Sequence, residues 1–142
     1  MRPRHDTDPE GFIADFFTSF TADLLGSDED AGLIVDRYHT PDIVQIADGH
    51  RMDRDKLVAH TRPVRRKVHE ALAHGDRVAA RYTLHVDNPK RPLAMEVHFF
   101  GQFTPDGRMR RSHMLTRAVP ADPGPAPGQP APRARDLPTE SA

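Results

Sequence analysis

The sequence predicts an α+β domain: three N-terminal helices packed on a curved, mixed or antiparallel sheet, enclosing a cone-shaped space. Two features carry that expectation. Apolar residues recur at helical spacing through the first part of the chain and alternate beyond His69. The alternating stretches are joined by short turn signals, which make neighbours antiparallel. Helices on one side of such a sheet cover only one of its faces, and the mouth of the space between is a natural ligand site.

The chain has 142 residues, 20 basic and 21 acidic groups, nine histidines and no cysteine. Its 37% apolar fraction suits one modest core and a single domain. The near-cancelled charge lacks the basic excess that draws a domain to nucleic acid. No apolar run approaches the roughly 18 residues of a membrane helix. Met1-Arg2-Pro3-Arg4-His5-Asp6 has no signal-peptide core, so a cytoplasmic protein is expected. Without cysteine, disulfides, Cys-held zinc, thiol nucleophiles and thiolate-held iron–sulfur clusters are excluded. Seven of the fourteen prolines fall in Val119–Ala142, which is expected to be a disordered spacer. Residues 1–8 are expected to be loose, leaving 9–118 as the domain.

Phe12, Phe16, Phe20 and Leu24, flanked by Ile13, Phe17 and Leu25, follow Asp8-Pro9 and predict a helix ended by Gly26. A second helix is expected from Ser27-Asp28, with Leu33, Ile34 and Tyr38 on one face, stopped by Pro41. Ile43–Ile46 is short and β-branched, hence a strand. Asp48-Gly49 turns the chain. Asp53 can cap a third helix carrying Leu57, His60, Thr61, Val64 and Val68, which Pro63 would weaken or kink. Then Val78, Ala80, Tyr82, Leu84 and Val86 alternate on one strand, and Met95, Val97, Phe99, Gly101 and Phe103 on the next, across a turn near Asn88-Pro89-Lys90. Thr104-Pro105-Asp106-Gly107 is a turn with glycine free to take positive φ. A last strand runs from Arg108 to about Ala118.

Tyr38-His-Thr-Pro-Asp-Ile-Val44, the Asp48-Gly49 turn, the third helix and Asp106-Gly-Arg-Met109 entering a final strand resemble the nuclear transport factor 2-like superfamily. Within it the sequence is similar to the SnoaL-like polyketide cyclases and, more distantly, to ketosteroid isomerase. The resemblance covers about residues 10–118. It implies a cone-shaped α+β barrel and a homodimer paired through the outer sheet face. The isomerase's carboxylate base falls at Ile46, and its oxyanion-binding tyrosine at phenylalanines such as Phe17 and Phe20. Its oxyanion-holding acid and the cyclase's pocket histidine both fall at Phe99, and the cyclase's acid/base aspartate falls at Met114. Neither mechanism can therefore run on the same residues.

Other groups are candidates for chemistry. His60 shares a face with Leu57, Val64 and Val68, and a neutral imidazole suits proton transfer near neutral pH, or else it only shapes the wall. Tyr82, on the apolar face of its strand, can polarise a carbonyl or simply pack. For the last strand, a type I turn with a glycine bulge pairs Thr104 with Arg108 and Phe99 with His113. That turns Met109, Arg111, His113 and Leu115 inward, whereas the family pattern turns Ser112, Met114 and Thr116 inward. The turn chemistry favours His113, which would then face His60 across the cone. Phe17, Phe20, Tyr38, Met95, Phe99, Ser112 and Met114 are expected to contact substrate. Asp48 either adds a carboxylate at the mouth or only forms the turn, and Asp42 reads as a capping or turn residue. Arg81, His85, Glu96 and His98 fall on the outer face as a polar dimer surface. Arg62, Arg65, Arg66 and Lys67, with Arg108, Arg110 and Arg111, read as solvated clusters. No histidine pair has a known helical metal-site spacing, and no metal or cofactor is expected.

These features point to an enzyme acting on an apolar, carbonyl-bearing small molecule by proton abstraction next to the carbonyl. Cyclisation, isomerisation or dehydration would follow. The alternative is a non-catalytic small-molecule-binding or dimeric scaffold protein of the same fold.

Overall fold

The structure is a computed structural model and describes residues 4–86 and 93–120. The turn near Asn88 and the tail beyond Pro120 lie outside the described residues. Three helices, α1 (Pro9–Gly26), α2 (Ala31–Tyr38) and α3 (Arg54–His60), each begin at an aspartate that accepts a hydrogen bond from a first-turn N–H. Asp8 caps α1, Asp30 caps α2 and Asp53 caps α3, satisfying donors that have no partner inside the helix. The second helix thus begins at Asp30, later than Ser27-Asp28, and Leu33 lies on its solvent side.

Six strands form one mixed sheet in the order β2-β1-β6-β5-β4-β3. They are β1 (His39–Ala47), β2 (His50–Asp53), β3 (Arg65–His74), β4 (Arg77–Val86), β5 (Leu93–Phe103) and β6 (Met109–Val119). All neighbours are antiparallel except β1 and β6. Asp48 and Gly49 both have positive φ, the signature of a tight hairpin turn, so β2 folds back on β1 as a short edge strand. That strand is not apparent in the sequence. Pro41 lies where the β1–β6 pairing is irregular, a place where a missing N–H costs no ladder bond.

The third helix is shorter than its apolar spacing suggests. It ends at His60, and Pro63 biases the residue before it towards extended backbone. Val68 therefore lies on β3 rather than on a helix, paired with Tyr82, and residues 65–68 begin the strand. Thr21 on α1 donates its hydroxyl to the Val64 carbonyl, tying the approach to β3 against the first helix.

The core is the inner face of α1 against the inner face of the sheet. Phe12, Ile13, Phe16, Phe17 and Phe20 are buried against Val78, Tyr82, Val97, Phe99 and Phe103. Each large side chain removed from water contributes about 1.5–3 kcal/mol. Gly101 sits between Phe99 and Phe103 on the same face, and a Cβ there would lie 2.5 Å from the Phe99 ring. Glycine is what allows both rings to close over that strand.

Candidate active site

Between α1, α3 and the inner sheet face lies a cavity of about 260 Å³. At ~30 Å³ per water this is room for roughly nine waters, or a small one- or two-ring molecule. Its apolar wall includes Phe17, Phe20, Leu57, Phe99, Met109 and Met114. Its polar groups are His39, Gln45, His60, Thr61, Arg62, Arg66 and Tyr82. Among the described residues, no aspartate or glutamate lines it.

His39 ends α2 and begins β1, and only 3% of it is exposed. Its Nδ1 lies 2.9 Å from the Val35 carbonyl oxygen, which can only accept. Nδ1 therefore carries the proton, and the neutral ring keeps a lone pair on Nε2. Burial, reinforced by the nearby positive charge of Arg66, lowers its pKa to about 4. The ring is wedged edge-on between Phe16 and Phe20, with centroids 5.9 and 5.3 Å away.

Tyr82 is 2% exposed and packs on Phe17 with ring centroids 5.0 Å apart. Its hydroxyl lies beside the Arg66 guanidinium, whose charge favours the phenolate. A guanidinium has only donors, so the phenol oxygen can only accept from it, and among the described residues no acceptor takes its own O–H. Burial raises the phenol's pKa and keeps it protonated, with Arg66 acting in the opposite direction. Arg66 itself lies over the Phe17 ring at 4.4 Å, a cation–π contact. Its Nε is buried with no hydrogen-bond partner, and burial lowers its pKa. Arg66 is thus no part of a solvated cluster: pairing with Leu84 across β3–β4 turns it inward.

The expected residues divide. Phe17, Phe20, Phe99 and Met114 stand on the cavity wall, and Tyr82 is at its base. His60, the last residue of α3, is exposed at the rim rather than buried among apolar side chains. His113 points away. Phe99 pairs with Met114, not His113, because the ladder shifts between Phe103↔Met109 and Gln102↔Arg111. The turn forms as expected, with the Thr104 N–H donating to Arg108. The extra residue beyond it, Arg110, slips the register and swaps the faces. Met109 remains inside, while Arg111, His113 and Leu115 are exposed.

Ser112 is turned inward and 4% exposed, its hydroxyl unpartnered, but it does not reach the cavity. Met95 is half-buried and likewise absent from the wall. Tyr38 is committed elsewhere, donating its hydroxyl to Asp23 at 2.5 Å. Asp48 accepts from the Thr116 N–H at 2.8 Å and from its hydroxyl at 2.5 Å, bonds that lower its pKa and serve the turn. Asp42 accepts from Thr40, also a local role. On β1 Gln45 joins His39 on the wall, and Ile46 faces the other side. His39 was hidden in sequence because it lies at a helix–strand junction, where neither periodicity assigns it a face.

A larger cleft of about 500 Å³ opens beside α1 and the β5–β6 turn. Several of its charges are paired, Arg4 with Asp6, Arg37 with Asp23 and Asp106 with Arg108, while Asp15 accepts from Ser19 and Asp76 from Gln102. Among the described residues, no group of three or more His, Asp or Glu could hold a metal, and no helix is long and apolar enough to cross a membrane.

No protein-family model and no curated protein matches the sequence. Solved structures match the fold. A protein of Kribbella flavida described as a proposed ketosteroid isomerase is 14% identical over 96% of this chain and 94% of its own, with a TM-score of 0.58. A Mycobacterium tuberculosis epoxide hydrolase of the LEH-like kind is 17% identical over 77% and 85%, with a TM-score of 0.57. IdmH of Streptomyces antibioticus, a proposed polyketide cyclase, is 19% identical over 76% and 91%, with a TM-score of 0.55. The chain thus has the three-helix, curved-sheet fold of these proteins, as the resemblance implied.

Proposed function

We propose that the protein is a small-molecule enzyme that abstracts a proton next to a carbonyl in the 260 Å³ cavity, with His39 as base and Tyr82 as oxyanion donor. One observation carries this reading: a buried imidazole held neutral, its Nδ1–H committed to Val35, lines the same cavity as a buried phenol whose O–H is free. Nε2 takes the α-proton, the C–H electron pair becomes the enolate double bond, and the charge collects on oxygen beside the Tyr82 hydroxyl. The enolate then recovers the proton at another carbon, or attacks a second carbonyl to close a ring. A base with a pKa of about 4 is fully unprotonated at neutral pH but weak. It suits a carbon acid already activated by neighbouring carbonyls. His60 at the rim is the second candidate proton carrier. His113 is no longer a candidate, because it lies on the opposite face.

The test uses 2-tetralone, an apolar ketone with acidic α-protons, and follows its exchange with solvent deuterium by NMR. The wild-type chain should exceed buffer at equal pH. His39→Gln should lower the enzymatic rate by about 10²–10⁴ and Tyr82→Phe by about 10²–10³. Exchange no faster than buffer, or retained in His39→Gln, overturns the assignment. The binding-only reading is favoured by Phe99 and Met114, apolar where related enzymes carry polar groups, and it predicts tetralone binding without exchange.

The chain is further proposed to pair with a second copy through the outer sheet face. Leu72, Ala79, Phe100, His113 and Ile46 stand in register across it, and Leu72 and Phe100 are 76% and 67% exposed.

A further inference from the structure

We infer that the cavity selects an apolar carboxylic acid, and that Arg66 is the residue that binds its carboxylate. This rests on the cavity being the substrate site and adds to that reading the class of molecule. A guanidinium taken out of water needs acceptors, and a charge buried without a partner is costly. Arg66 makes no ion pair with any described residue, its Nε–H has no acceptor, and its protein contacts are the Tyr82 oxygen and the face of Phe17. The cavity offers no alternative anion: its charged or ionisable wall groups are Arg62, Arg66, His39, His60 and Tyr82, with no carboxylate among the described residues. The local field is therefore positive in a space otherwise walled by rings and methionines.

A planar carboxylate matches the guanidinium fork, which leaves the Tyr82 O–H for the carbonyl oxygen. The apolar wall, Phe17, Phe20, Leu57 and Phe99 among others, is left for the body of the acid.

The probes are 2-naphthoate and its uncharged counterpart 2-naphthamide, titrated calorimetrically into the full chain. The acid should bind roughly ten- to a hundredfold more tightly, the ratio expected for a charge-assisted pair. Arg66→Met should bring acid and amide to within about twofold while leaving the melting temperature unchanged or higher, because the variant removes a half-buried cation that has no ion pair among the described residues. Arg66→Lys keeps the charge without the fork and should keep a reduced preference, which serves if the methionine variant does not fold. His39→Gln should keep the preference while losing proton exchange, so the failure of the mechanism and the failure of this inference are separable. Equal binding of acid and amide, no binding of naphthoate below about 10 mM, or an undiminished preference in Arg66→Met each overturns the proposal. Displacement of naphthoate by equimolar inorganic phosphate would mark a general oxyanion site and overturn the apolar-acid class.

Discussion

The two faces of the sheet treat charge in opposite ways. Outside, Arg81 pairs with Glu70 at 3.3 Å, and Glu96 is shared between His98 and Arg117. Inside, Arg66 has an aromatic ring and a phenol but no counter-ion among the described residues, and His39 is held neutral. Exposed pairs contribute little because water screens them. An enclosed, unpaired cation costs stability, and proteins retain such costs chiefly where a ligand or reaction uses them. On the function proposed above, the outer face serves contact and the inner one chemistry.

Adjacent residues on β5 offer the sharpest way to break that contrast. Phe99→Ala on the inner face should cost about 3–5 kcal/mol in urea unfolding, since it empties a packed site. Its neighbour Phe100, 67% exposed, should change the stability of the monomer by less than about 0.5 kcal/mol when replaced by alanine. Phe100→Glu should instead weaken self-association by about thirtyfold or more in sedimentation equilibrium. An unchanged association constant would remove the outer face as the dimer surface.

The histidines give a smaller, pH-dependent contrast. His39 has a folded pKa of about 4 against an unfolded value of about 6.5. Above pH 6.5 it is neutral in both states. As the pH falls below that, the unfolded chain gains a proton that the folded chain refuses, so stability drops by about 1.4 kcal/mol per unit down to about pH 4. The loss totals about 3 kcal/mol. Urea midpoints between pH 7 and 4.5 should therefore fall less steeply in His39→Gln than in the wild type. Smallest of all, Arg81→Gln should shift stability by no more than about 0.5 kcal/mol, a loss that added salt erases.

Local chemistry was well written into the chain. The phenylalanine spacing of α1, the Asp53 cap of α3, the Asp48-Gly49 and Thr104–Gly107 turns and the alternation of β4 and β5 all appear where the residues place them. So does half of the site, because Tyr82, Phe99, Phe17 and Phe20 are apolar or aromatic residues on faces whose direction periodicity reveals. The other half was not legible. Arg66 looks like one of several basic residues near a helix end, and only β3–β4 pairing turns it inward. His113 was misplaced by one residue, since turn type specifies where a hairpin starts but not whether a bulge such as that at Arg110 follows it.

Sequence alone thus determined the fold class, the starts of the first and third helices and the greasy half of the cavity, all properties of neighbours a few residues apart. Tertiary structure decided which polar side chains are enclosed. Enclosure of Arg66 and His39 depends on strand pairing and on helix contacts from distant parts of the chain, and no local preference marks a charged or titratable residue as one the fold will bury.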